Sequence, residues 1–143
     1  MRPRIFVTQP IAESAHARLR AVADVTVNLD SSCILPKDKL CAAVRQHDIL
    51  FALLHDTVDS DVLTANPKLK AVASMSANAD RIDVAVATAH KIPVTVILPI
   101  DVTESTADLH FAILLAAARR VVEGDRLIRV GSFPGAQSNL RGR

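Results

Sequence analysis

The sequence predicts an α/β domain built on a parallel sheet, and three observations predict it. Five short apolar, β-branched runs alternate with segments of helical spacing, which is the period of βαβ units. The runs FALL and AVAS are continuously apolar instead of alternating, as strands are when helices cover both faces of their sheet. Half of the 143 residues are hydrophobic but only 3% are aromatic, so the core is aliphatic, made of Ala, Val, Leu and Ile. Together these define a flavodoxin-like, doubly wound, five-stranded parallel sheet, expected in the order 2-1-3-4-5, followed by a long C-terminal helix.

The elements follow in order. RIFV from Arg4 is the first strand, and Pro10 and Glu13 open a helix over IAESAHARLRAVA. DVTVNL from Asp24 is the second strand, after which Pro36 opens KDKLCAAVRQ. DILFALL from Asp48 is the third, with Asp59 capping SDVLTANP. LKAVASM from Leu69 is the fourth, with Asp83 opening VAVATAHK, and IPVTVI from Ile92 is the fifth. The last element is expected as one helix from about Thr103 to about Val130, about 40 Å long at ~1.5 Å per residue. Thr103 or Asp101 would cap it, Glu104 and Asp108 suit the positive end of its dipole, and Gly131 would stop it. Gly124 is the position at which it could divide. Phe111 to Ala118 is apolar all round, so another surface must cover it. The expected organisation is a sheet domain over 1–100, a linker and dimerisation helix over 101–131, and an irregular tail over 132–143.

The net charge of +2 is spread as single basic residues among acidic ones, leaving no basic stripe, and the four aromatics are all Phe. Nucleic acid binding is therefore not expected. MRPRIFVTQP is basic, but its apolar run is too short for a signal peptide, and no stretch reaches a membrane span. Cys33 and Cys41 have no Cys or His partner at metal-ligand spacing, so they read as reduced structural thiols, with no metal site. The expected location is the cytoplasm.

Ligands of open parallel sheets bind beyond the carboxyl ends of the strands, near the point where strand order reverses. That rule selects three loops: Thr8-Gln9-Pro10, Leu54-His55-Asp56-Thr57 and Met75-Ser76-Ala77-Asn78-Ala79-Asp80. The third is made of small residues whose exposed peptide N–H groups can hold a carboxylate, and Asn78 tolerates a positive φ. By spacing alone, an ordinary strand-to-helix loop is the favoured reading. His55 and His110 are the histidines that invite an acid/base role, but each reads as a plain polar residue.

Read in order, LLHDTVDSDVL, LKAVASMSANADRIDVAVATAHKIPVT, LP, TESTADLHFAILLAAARR and GSFPG resemble the substrate half of D-2-hydroxyacid dehydrogenases of the glyoxylate or hydroxypyruvate reductase type. The resemblance spans about Arg4 to Gly135. It implies a protein that reduces a small 2-oxo acid to a 2-hydroxy acid with NAD or NADP. It also implies that amides at Met75, Ser76, Ala77 and Asn78 hold the substrate carboxylate, that Leu53, Leu54 and His55 shape the side-chain pocket, and that Thr106 lies near the nicotinamide. A homodimer through the 104–128 helix is expected from the helix itself, because Phe111, Ile113, Leu114 and Leu115 cannot all face one side.

The departures are specific. Ala77-Asn78 stands where the family usually has Val-Gly, and Pro99-Ile100-Asp101 where it usually has Pro-Gly-Val, so side chains replace close backbone approach. No G-x-G-x-x-G occurs, and the family's catalytic Arg, Glu and His have no counterparts here, so no catalytic residue is assigned. The chain is expected to bind no cofactor tightly and to be inactive alone. The alternative is a non-catalytic, stand-alone α/β module that dimerises or binds a small carboxylate. A response-regulator receiver is set aside because FVTQP lacks acidic residues after the first strand.

Overall fold

The computed structural model describes residues 2–97 and 99–131, without the side chains of residues 99–102. The tail expected over 132–143 lies outside the described residues. The chain divides after Ile97 into two compact units.

The first unit is a five-stranded, all-parallel sheet in the order β2-β1-β3-β4-β5. Its strands are β1 (Arg4–Val7), β2 (Asp24–Val27), β3 (Ile49–Ala52), β4 (Ala71–Ser74) and β5 (Val94–Thr95). Between them run α1 (Glu13–Val22), α2 (Lys37–Gln46), α3 (Ser60–Thr64) and α4 (Val84–Ala89). β1 matches its run, and the other four strands are shorter than theirs, most of all β5, beyond which Ile97 N–H turns to the loop after β4 and bonds Ser76 O at 3.1 Å. Asp59 caps α3 by accepting from the Asp61 and Val62 N–H groups, and Asp83 caps α4 by accepting from Val86 N–H. Between the N-terminal turns of α2 and α3, Lys37 Nζ lies 2.6 Å from Asp59 and 2.5 Å from Asp61.

The two faces of the sheet are filled unequally. Phe6, Leu50, Ala52 and Val72 join Leu40, Val44, Val62, Leu63 and Ala87 of α2, α3 and α4 in the larger core. The opposite face holds Ile5, Val7 and Ala23, with half-buried Leu19, Ile49 and Phe51 against them. So β3 and β4 are apolar on both faces, as the sequence implies, yet their burial alternates.

In the second unit the single helix expected over Thr103 to Val130 is instead two, α5 (Pro99–Ala118) and α6 (Val121–Arg129). Thr103 and Asp101 are not caps but lie inside α5, which starts at Pro99, where a fixed φ costs nothing. The break falls at Arg119-Arg120; Gly124 sits within α6. Arg120 is left-handed (φ 53°), donating its N–H to Ala117 O at 3.1 Å while its O accepts from Gly124 N–H at 2.9 Å. That conformation costs about 1–2 kcal/mol. It aims the guanidinium at Glu123, with Nε and Nη2 at 2.6 and 2.7 Å from the carboxylate oxygens. Gly131 follows α6 with φ 69°, the left-handed stop that its position suggests.

Candidate functional site

The strand order reverses at β1 and β3: β2 lies to one side, β4 and β5 to the other. Loops leaving the carboxyl ends of these strands form the rim where a doubly wound sheet binds ligands.

The rim is organised by a buried polar cluster. Thr8 N–H continues the β1–β3 ladder onto Phe51 O at 3.1 Å. The next rung would take Leu53 N–H to Thr8 O. It does not form. Thr8 O accepts instead from Asn28 Nδ2 at 3.0 Å, and Leu53 N–H donates to Thr8 Oγ1 at 3.1 Å and Asp56 Oδ2 at 2.8 Å. Thr8 Oγ1 itself donates to Asp56 Oδ2. Thr8 is fully buried and Asp56 is 3% exposed, yet Asp56 Oδ1 has no partner among the described residues. Strand β3 therefore ends, and the 53–56 loop begins, where side chains replace the backbone acceptor. Sequence reading places Thr8 and Asp56 in rim loops but assigns neither a role; the available signal is a polar residue directly closing an apolar strand.

Leu53 is half-buried, Leu54 is exposed, and half-buried His55 has Nε2 3.1 Å from Gln9 Oε1, so two rim loops meet there. The loop after β4 runs alongside. Met75 N–H bonds Ala52 O at 2.9 Å, and a parallel bridge between Val58 and Ile82 joins the two loops further out. Ser76 N–H donates to Ser74 Oγ at 3.2 Å, and Asn78 N–H reaches Ser76 Oγ only at 3.5 Å. Ala77 and Asn78 are exposed. Asn78 does not adopt the positive φ expected of it; its side chain serves the loop by accepting from Ser76 Oγ at 3.2 Å and Asp80 N–H at 3.4 Å. The loop spans enough residues to turn without a left-handed one.

The structure thus brings Leu53, Leu54, His55, Met75, Ser76, Ala77 and Asn78 to one end of one sheet. Thr106 belongs to the second unit, exposed on α5, where its carbonyl lies 2.7 Å from Nδ1 of exposed His110. Among the described residues no group of three His, Cys, Asp or Glu could hold a metal ion, and no helix is long and apolar enough to cross a membrane. Cys33 and Cys41 are free thiols.

The rim of this doubly wound domain presents backbone donors of the loop after β4, and no metal-ligand set lies among the described residues. The chain belongs to the D-isomer specific 2-hydroxyacid dehydrogenase family, whose catalytic domain it matches over residues 5–135. It is 41% identical over 135 residues to a glyoxylate reductase of Korarchaeum cryptofilum, covering 93% of this chain and 40% of that protein. It is 42% identical over 132 residues to a glyoxylate reductase of Aeropyrum pernix, covering 92% of this chain and 39% of that one. Among solved structures, a putative D-isomer specific 2-hydroxyacid dehydrogenase from Polaromonas superposes with a TM-score of 0.89 at 28% identity, over 99% of this chain and 44% of that one. A protein from Thermus thermophilus superposes at 0.83 and 35% identity, over 97% of this chain and 44% of its own. The chain therefore spans about two fifths of the length of the curated relatives it matches.

The family's NAD is not fitted by these residues. A dinucleotide's pyrophosphate needs a glycine-rich strand-to-helix turn for close backbone approach. The chain's four glycines, Gly124, Gly131, Gly135 and Gly142, all follow the sheet, and every turn of the sheet carries side chains.

Proposed function

We propose that this chain supplies the substrate-binding half of an NAD- or NADP-dependent 2-oxo acid reductase acting on glyoxylate or hydroxypyruvate, and that these 143 residues alone do not transfer hydride. The observation that carries this reading is the rim itself, where Leu53–Asp56 and Met75–Asn78 run side by side at the switch point of a sheet belonging to this family. The amides of Ala77 and Asn78 are the donors for the substrate carboxylate. Ala77 N–H has no protein acceptor among the described residues, and the 3.5 Å contact of Asn78 N–H yields to a charged acceptor at little cost. Ser76 N–H joins them once it leaves Ser74 Oγ. Leu53, Leu54 and His55 bound the substrate's side-chain end. Thr106 lies toward the nicotinamide, which is held outside these residues together with the proton donor. The assembly is a homodimer through the 104–128 helix, working in the cytoplasm.

Two assays on the purified chain test this. Neither NADH nor NADPH should be oxidised with glyoxylate or hydroxypyruvate, and millimolar oxalate, a non-reacting dicarboxylate, should raise the melting temperature through binding to the folded state. Turnover in a preparation free of host reductases, or a melting temperature indifferent to oxalate, contradicts the reading.

A further inference from the structure

We propose that Thr8 and Asp56 form a positioning pair that fixes where the 53–56 loop leaves the sheet, and so presets the side-chain end of the binding rim before any ligand arrives. The inference rests on the reading above for what the loop is positioned to hold.

The β1–β3 ladder is interrupted at its carboxyl end. Parallel pairing would continue for another rung if Leu53 N–H met Thr8 O, which would carry Leu53 further along the strand direction. Three side chains prevent it. Asn28, at the end of β2, occupies Thr8 O at 3.0 Å, and the Thr8 hydroxyl together with the Asp56 carboxylate offers Leu53 N–H a charged alternative at 2.8 Å. The reverse bond, Asp56 N–H to Leu53 O at 3.1 Å, closes the loop into a turn. Residues 53–56 are thereby held at both ends by one carboxylate.

The chemistry chosen is costly unless it has a use. A carboxylate 3% exposed, with Oδ1 unpartnered and no basic side chain bonded to it among the described residues, is a poor way to stabilise a core, where an apolar side chain would serve better. What it does better than an apolar residue is direct two donors, one from the residue that follows β1 and one from the residue that follows β3, at a single oxygen. The pair lies at the β1–β3 switch point, under the residues that bound the ligand's side chain.

The test reads the Leu53 amide in the purified chain by hydrogen exchange, with oxalate as the probe for the rim. Thr8→Val removes the hydroxyl while keeping the shape, Thr8→Ser restores it, and Asp56→Asn keeps one acceptor while removing the charge. Leu53 N–H should exchange about tenfold faster in Thr8→Val and in Asp56→Asn, with Leu50 and Val72 unchanged and Thr8→Ser returned toward wild type. Oxalate-induced shifts at Leu53 to Asp56 should be lost in Thr8→Val and kept in Thr8→Ser. Unchanged Leu53 exchange in both Thr8→Val and Asp56→Asn overturns the proposal. So does faster exchange spread evenly through Leu50 and Val72, because the pair would then act on the whole sheet. If the wild type ignores oxalate while Leu53 alone responds to Thr8→Val, the substrate reading fails and the positioning role stands.

Discussion

Asp48 does at the amino end of the sheet what Asp56 does at the carboxyl end. Its Oδ2 accepts from Arg4 N–H at 2.9 Å and Arg4 Nε at 3.4 Å, and its Oδ1 lies 3.6 Å from Lys70 Nζ, so one carboxylate gathers residues from the starts of β1, β3 and β4. The backbone N–H of Arg4, then the charge of Lys70, holds its carboxyl below the ordinary carboxylate range. A folded-state pKa below the unfolded one stabilises the fold above the unfolded value and is lost as pH falls through the folded value. Asp48→Asn should therefore lower the melting temperature at neutral pH, and the gap to wild type should close below about pH 4, as seen by thermal unfolding across pH. A gap independent of pH would show that charge plays no part. Sequence order reveals that Asp48 opens the third strand, that Thr8 closes the first and that Asp56 lies in the loop after the third. It cannot reveal that Leu53 N–H chooses a side chain over the next rung, because that choice depends on Asn28, which arrives from β2.

At the scale of elements, the strand and helix sequence of the first unit is legible because each helix carries its own start signal, most clearly Asp59 and Asp83. The second unit is less so. A glycine at position 124 is the expected weak point, but an isolated glycine inside a helix costs only about 1 kcal/mol, and the turn forms at Arg120 with Glu123 to receive its guanidinium. Helix α5 leaves Leu109, Phe111, Ile113, Leu114 and Leu115 exposed, each more than half accessible. At about 25 cal/mol per Å², covering a few hundred Å² of such surface is worth several kcal/mol. For the proposed homodimer, sedimentation should give twice the chain mass at tens of micromolar, and Leu115→Asp should shift it toward monomer. A wild-type monomer unaffected by Leu115→Asp would contradict that assembly.

At the scale of the whole molecule, family and fold agree: residues 5–135 match the 2-hydroxyacid dehydrogenase catalytic domain, and the parallel order 2-1-3-4-5 is the one that the alternating pattern implies. The site is legible only as far as the switch-point rule reaches, which is to loops and not to donors. Asn78 illustrates the limit, since its side chain supports the loop instead of enabling a left-handed turn. The proposed site holds a small carboxylate at the rim by peptide N–H groups of the loop after β4. Amide chemical shifts of the labelled chain, followed residue by residue during titration with glyoxylate or oxalate, test it most directly. The account predicts changes concentrated at Met75 to Asp80 and Leu53 to Asp56; changes confined to the amino-terminal edge of the sheet, around Arg4, Asp48 and Lys70, would contradict it.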